Sequence, residues 1–461
     1  MGLRDIVLMV AVYGSLPFIL RKPFIGILVW YWLSLMNPHR ISWTLTHQPF
    51  AQLVALTLLF SIFISRTEQK KFPINAITVT LILLLVWYFI TTVFALFPSV
   101  AWIQWDKVWK IWLTTLLAIM LTNTPSRIIA LTVVSVLSIG FFGFKGGWFT
   151  IVTAGNHRVW GPLGSFIADN NAMALALIMT VPLLFFLRSI APYRILRIGI
   201  ILGIVLCVFA ILGSHSRGAF LGVIAMGLYL ALKSRQKVQY LLLIAVLAPV
   251  GFNFMPEAWH ERMLTIGSYE EDASAMGRIK AWQMSINMAM DRPFGGGFFA
   301  FAPETYLMYL PEVGPRRTVA HSIYFQTLGH HGFIGLGIFL LLIGLLFNSC
   351  SRTISRVRQF PELSWMRDLA AMLQVSLIGY AVTGAFLDMA YFNYYYALIA
   401  IIVGMEVVLR QRETSMASGV NTVGADAEQA VVVMRTDGKG LPFAPTPKEV
   451  IALGRSWYHR L

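Results

Sequence analysis

The chain has 461 residues, of which 57% are hydrophobic and 12% charged, with a mean hydropathy of +0.70. That balance excludes an ordinary soluble domain, where apolar residues are fewer and alternate with charge, and requires a lipid environment. The net charge of +15 does not indicate a nucleic-acid partner, because most Lys and Arg fall in short connections between apolar runs, where they set topology in the membrane.

The first apolar stretch has neither a basic run before it nor a small-residue cleavage site after it, so the N-terminus is expected to be retained. Two short runs, 5–20 and 23–36, form a hairpin around Arg21-Lys22-Pro23. Longer runs follow near 50–65, 75–96, 109–122, 127–144, 171–187, 198–213, 218–232, 238–254, 332–349, 369–387 and 391–409. Each crosses, or nearly crosses, a hydrocarbon layer of about 30 Å, which predicts an all-α polytopic protein of roughly twelve or thirteen transmembrane helices.

The basic clusters Arg66/Lys70/Lys71, Arg188/Arg194/Arg197, Lys233/Arg235/Lys237 and Arg352/Arg356/Arg358/Arg367 fall on alternate connections and mark the cytoplasmic side. The other connections, 37–49, 97–108, 145–170, 213–217, 255–320 and 388–391, are then outside. Three regions follow: an N-terminal transmembrane region (1–170), a second one (171–410) that includes the long outer loop 255–320, and a polar, partly disordered cytoplasmic tail (411–461). Cys207 and Cys350 have neither metal-ligand spacing nor a disulfide pattern.

Cations on the outer side run against the topological rule and therefore draw attention. Arg217, in Ser214-His215-Ser216-Arg217-Gly218-Ala219, opens an outer helix end, where free N–H groups and the dipole suit a phosphate; it equally fits an interfacial Arg that snorkels. Arg278 falls in the first turn of an amphipathic helix expected from Ser274, with Ile279, Trp282, Ile286 and Ala289 on one apolar stripe. Pro293 and Gly295-Gly296-Gly297 stop that helix. Arg278 there suits an anion, or is a solvated residue of the helix.

His321, in Ala320-His321-Ser322-Ile323-Tyr324, is matched to general-base work near neutral pH, though a lone His at a helix start is also an ordinary interfacial residue. His330 and His331 are expected to make packing or polar contacts. Asp169 and Asn171 could bind sugar hydroxyls, or Asp169 and Asn170 could cap the next helix. Asp388 sits beside Tyr391, Tyr394, Tyr395 and Tyr396, a set that also reads as an interfacial aromatic belt. Arg158, Arg316 and Arg317 are further anion candidates by location. The acidic run Glu270-Glu271-Asp272 reads as solvated, and the cations at hand point to a metal-independent site without cofactor.

Taken together, Ser216-Arg217-Gly218-Ala219, Gly277-Arg278 with Trp282 and Pro293-x-Gly-Gly-Gly, and His321-Ser-x-Tyr followed by Gly332-x-x-Gly335 resemble the O-antigen ligase and polymerase superfamily. The stretches Trp30 to Arg40 and Gly161 to Asn171 resemble its exosortase A-associated O-glycosylation ligase branch. One departure is His330, where relatives tend to carry an acidic residue shortly before the Gly-x-x-Gly turn, so the resemblance implies no catalytic carboxylate at that position.

The resemblance implies a GT-C-like, metal-independent, inverting glycosyltransferase of the inner membrane, with its active site facing the periplasm and its C-terminus in the cytoplasm. The implied donor is a glycan on undecaprenyl diphosphate, held by Arg217 and Arg278. The implied acceptor is a hydroxyl of a lipid A-core sugar or a protein Ser/Thr, deprotonated by His321. Trp282, Arg158, Asp169, Asn171, Arg316, Arg317 and Asp388 would contact glycan or acceptor. A polysaccharide polymerase shares that chemistry. A transporter or flippase is the rival from another class, and it predicts charged or broken helices near the bilayer midplane, where this sequence has few.

Overall fold

The structure, a computed structural model, describes residues 2–42, 44–46, 48–66, 68–233, 253–264 and 273–417. Its elements are α1 (Leu3–Arg21), α2 (Pro23–Met36), α3 (Pro38–Ile41), α4 (Phe50–Ile64), α5 (Ala76–Val93), α6 (Pro98–Leu121), α7 (Pro125–Val152), α8 (Asn170–Ile190), α9 (Arg194–Gly213), α10 (Arg217–Lys233), α11 (Glu257–Leu264), α12 (Ala273–Asp291), α13 (Pro303–Tyr309), α14 (Ile323–Arg356), α15 (Ser364–Gly384) and α16 (Asn393–Ala417).

Among the described residues there is no strand, and seven helices are long and apolar enough to cross a membrane. The shorter α2 and α4 are also apolar. Helices α6, α10 and α15 fill three more of the expected runs. The run at 238–254 and the acidic run 270–272 lie almost wholly outside the described residues, as does the tail after Ala417. The protein is an all-α polytopic membrane protein.

Local chemistry sets the helix ends. Pro23, Pro98 and Pro125 start α2, α6 and α7, where a missing N–H costs nothing. The Asn75 side chain accepts from Thr78 N at 2.9 Å to cap α5. Helix α16 is buried on most of its length, whereas α9 turns Ile195, Ile198, Leu202 and Val205 outward. A lipid-facing helix surface has no reason to be polar, so such residues are ordinary here.

Two families of contacts define two ends of the bundle. At one end, Asn170 Nδ2 donates to Ser214 O (2.6 Å), Leu96 N donates to Gly296 O (2.9 Å) and Asp388 approaches His321. At the other, Arg127 makes two bonds to Glu68 (2.8 and 2.9 Å), Ser349 donates to Glu406 (2.5 Å) and Arg356 pairs with Glu413. The basic loop residues Arg66, Arg188, Arg194 and Arg367 belong to this second end.

Four sequence expectations change in detail. Helix α6 begins at Pro98, not near 109; Asp106, Lys107 and Lys110 lower the hydropathy of its first turns, and Lys110 pairs with Asp106 at 2.6 Å. Helix α7 runs on to Val152 through Gly146-Gly147. A Cβ at Gly147 would lie 2.0 Å from Leu206 O, so these glycines let α7 and α9 touch. Helix α16 continues past Arg410 to Ala417, held by the Glu413 and Arg412 ion pairs. Tyr391, Tyr394, Tyr395 and Tyr396 are at most 2% exposed; they are core residues of the bundle and form no interfacial belt.

Candidate active site

The site is built at the end of the bundle opposite the basic loops. Asp169, itself extended after a run of turns at 163–167, caps α8, its Oδ1 accepting from Asn171 N (2.9 Å) and Ala172 N (3.2 Å). The neighbouring turn is held by Asn170 and by His215, whose Nε2 lies 2.9 Å from Gly155 O. His215 has φ 56°, which folds the chain back so that Ser216 can start α10 and Arg217 becomes its first residue. Ser216 Oγ accepts from Ala219 N at 3.3 Å.

Arg217 shares one cleft with Asn171, Ser216, Gly218, Arg278, Phe386 and Leu387. Two guanidinium side chains from separate helices thus face one small space beside the N-terminus of α10, an arrangement suited to a multiply charged anion. Gly218 lets the third wall approach closely, since a Cβ there would lie 3.1 Å from Phe386 Cβ.

Helix α12 brings Arg278, but not as its periodicity suggests. Ala281, Met284, Ser285, Met288 and Ala289 are buried, while Ile279 and Ile286 are 36% and 42% exposed. The expected apolar stripe is therefore only partly the packed face, because lipid accepts Ile as readily as a core does. The described helix begins at Ala273, which puts Arg278 beyond its first turn and removes the dipole argument for an anion at that position.

His321 precedes α14 with φ 45°. The loop before it is anchored by Trp282, whose Nε1 donates to Ala320 O (2.7 Å) and whose ring stacks on Phe325 at 4.8 Å. Tyr306 reinforces it by donating to Thr318 O (2.5 Å). Trp282 is thereby a support of the His321 loop. His321 Nδ1 lies 3.4 Å from Asp388 Oδ2, which leaves Nε2 directed away from the carboxylate.

Electrostatics link this pair to Arg278. Burial, then the field of Arg278, lowers the His321 pKa below its usual 6.5, with Asp169 opposing. Burial pushes the Asp388 carboxyl up to about 7, against the lowering influence of the His321 and Ser322 backbone N–H groups and of Arg278. Arg278 is thus felt at both the cleft and the His321/Asp388 pair.

Arg158, Arg316 and Arg317 are exposed and do not line the cleft. Arg316 bonds back to Val313 O at 3.4 Å. Sequence reasoning did not single out the link between Asp388 and His321, since 67 residues separate them and a turn between two apolar helices carries no motif. The expectation that His330 and His331 make packing or polar contacts holds: both lie in a buried polar network around Tyr391, a partner the sequence did not point to.

Comparison with known proteins adds two matches. Residues 3–191 match a family of unknown function (DUF5935), and residues 202–340 match O-antigen ligase (Wzy_C). No curated protein matches the chain. Arg217, Arg278 and His321 fall inside the second match, Asn171 inside the first, and Asp388 beyond both. The chain is a multi-pass membrane protein in which residues 202–340 are similar to the O-antigen ligase family.

Proposed function

We propose that the protein is a metal-independent, inverting glycosyltransferase that moves a glycan en bloc from undecaprenyl diphosphate to an acceptor hydroxyl at the periplasmic face of the inner membrane. The observation that carries this reading is the convergence of Arg217 and Arg278 on one cleft, with the field of Arg278 reaching the His321/Asp388 pair.

Negative charge accumulates on the diphosphate as the glycosidic C–O bond breaks. Two fixed guanidinium groups at a poorly hydrated site oppose that charge more strongly in the transition state than before it. His321 Nε2 takes the proton of the acceptor O–H as its oxygen bonds to the anomeric carbon, and the C–O electron pair leaves with the diphosphate. Single displacement inverts the anomeric centre. Asp388, receiving Nδ1–H, holds the tautomer in which Nε2 has its lone pair. Asn171 lines the cleft and would meet a donor sugar or diphosphate oxygen.

The reading is tested by release of undecaprenyl diphosphate from a purified lipid-linked glycan, with lipid A-core or a Ser/Thr-containing protein as acceptor, in the presence of a chelator. Acceptor-dependent release that is lost in His321→Ala and Arg217→Ala supports it and names the acceptor class. A ladder of product lengths in place of a single transfer would identify a polymerase. Release by both variants at the native rate would sink the mechanism, and transport would become the leading alternative.

A further inference from the structure

Beside the cleft lies a buried polar chain that the proposed chemistry does not use. The Tyr391 hydroxyl is 2.9 Å from His330 Nδ1 and 2.8 Å from His331 Nε2. His331 Nδ1 is in turn 2.6 Å from Thr91 Oγ1, which reaches the Tyr88 carbonyl at 3.1 Å. The Tyr88 ring stacks on His331 at 3.8 Å, and Phe298 closes the other side edge-on at 4.9 Å.

One proton order satisfies every bond without charge. Thr91 donates to Tyr88 O, His331 Nδ1–H donates to Thr91, Tyr391 O–H donates to His331 Nε2, and His330 Nδ1–H donates to Tyr391. A buried chain of this kind holds its members in one arrangement, since any broken link leaves a polar atom unpaired in an apolar surrounding.

The chain joins three backbones. Helix α5 supplies Thr91, and its Trp87 Nε1 donates to His331 O at 2.8 Å. The early part of α14 supplies both histidines, and the carbonyls of Gly329 and His330 accept from Gly296 N (2.8 Å) and Gly297 N (2.9 Å) in the loop that follows α12. The turn between α15 and α16 supplies Tyr391, three residues after Asp388. The elements bearing Arg278, His321 and Asp388 therefore meet at this joint.

We infer that Tyr391 is a positioning residue, whose hydroxyl, shared between His330 and His331, locks the 385–392 turn so that Asp388 meets His321. The catalytic consequence rests on the transferase reading given above; the geometric claim does not. Tyr391→Phe keeps the ring and its packing while leaving both imidazoles short of a partner.

The test is the pH dependence of His321 carbethoxylation by diethylpyrocarbonate, followed by peptide mass spectrometry on the purified full-length protein. Native protein and Tyr391→Phe are compared with Tyr394→Phe. Tyr394 is equally buried but receives its bond from Thr180 at 3.2 Å, away from the histidines. The expected result is a midpoint displaced by about half a pH unit or more in Tyr391→Phe only, a displacement well within what a neighbouring carboxylate imposes on an imidazole. Glycan transfer should show kcat lowered by roughly tenfold to hundredfold with the donor KM unchanged, as for a misplaced catalytic group.

A native midpoint in Tyr391→Phe, or an equal shift in Tyr394→Phe, overturns the inference. Should Tyr391→Phe fail to fold, Thr91→Val breaks the same chain one link farther away. A shift of the same sign then supports the inference, and a native midpoint overturns it. If native protein transfers no glycan, the transferase reading falls while the His321 midpoint still decides the positioning claim.

Discussion

Gly332 is the residue at which the stability of this joint can be measured most directly. It has φ 65° and ψ −170°, a conformation open to glycine and strained for every L side chain, at a kink in the early part of α14. A Cβ there would lie 1.8 Å from Pro293 O and 3.0 Å from Gly295 N, both backbone atoms that cannot rotate away. Relief requires moving the 293–297 loop, which carries the Gly296 N→Gly329 O and Gly297 N→His330 O bonds. Backbone strain of about 1–3 kcal/mol and the loss of two hydrogen bonds at about 0.5–1.5 kcal/mol each place Gly332→Ala at about 2–6 kcal/mol of destabilisation. Gly337→Ala, one and a half turns on, meets no atom within 4 Å. It should be neutral, or more stable by up to about 1 kcal/mol through helix propensity. Graded SDS unfolding of the purified protein in mixed micelles measures both. Gly332→Ala within about 0.5 kcal/mol of native, below the usual scatter of a neutral substitution, would show that the kink is not a fixed joint.

The remaining predictions concern the reacting pair and its support. A protonated Asp388 donates to His321 Nδ1 and selects the tautomer with a proton on Nε2, which cannot act as base. Since the Asp388 carboxyl is raised to about 7, kcat/KM should fall as pH drops through that value, well above an ordinary carboxylate. The groups acting on the imidazole are Asp388 at 3.4 Å, Arg278 and Asp169. Asp388→Asn should abolish the limb near 7 and lower the rate at least about tenfold, because an amide no longer enforces the productive tautomer; an unchanged pH profile would remove Asp388 from the mechanism. Trp282→Phe keeps the stack on Phe325 but loses the bond to Ala320 O, and it should cost about 1 kcal/mol of stability. It should also lower kcat without altering donor KM, as read from initial rates over a donor titration.

The bundle was legible because helices in lipid must satisfy their own backbone and must be apolar along their length. Twelve of the thirteen apolar runs coincide with a helix, and the thirteenth lies almost wholly outside the described residues. Their ends were less legible. Lys145 and Asp106 break the hydropathy signal inside helices that continue through them. Rotational position was hidden for a related reason. Ile279 and Ile286 satisfy the same periodicity whether they face protein or lipid, so amphipathicity does not select the packed face of α12. Arg217, Arg278 and His321 were conspicuous as polar groups beside Gly, Ser and Pro in an apolar chain. The His330/His331/Tyr391 joint was not, because its members are separated by about sixty residues and resemble packing residues one at a time.

On the proposed transferase reading, Arg278 links the cleft to the His321/Asp388 pair and would give the donor control over the base. Its charge lowers the pKa of both His321 and Asp388. A bound diphosphate brings opposite charge to the same guanidinium and cancels much of that field, so both groups regain affinity for protons. Raised basicity favours His321 as an acceptor of the hydroxyl proton once the donor is in place. The same change raises the Asp388 carboxyl further from its ordinary value, and with it the pH at which the productive tautomer is lost. The acid limb of kcat, which reports the donor complex, should therefore lie at higher pH than that of kcat/KM, which reports the free enzyme. In Arg278→Gln the two limbs should draw together, because no charge remains for the diphosphate to screen. Coincident limbs in native protein under saturating acceptor would mean that Arg278 holds the donor without communicating with the base.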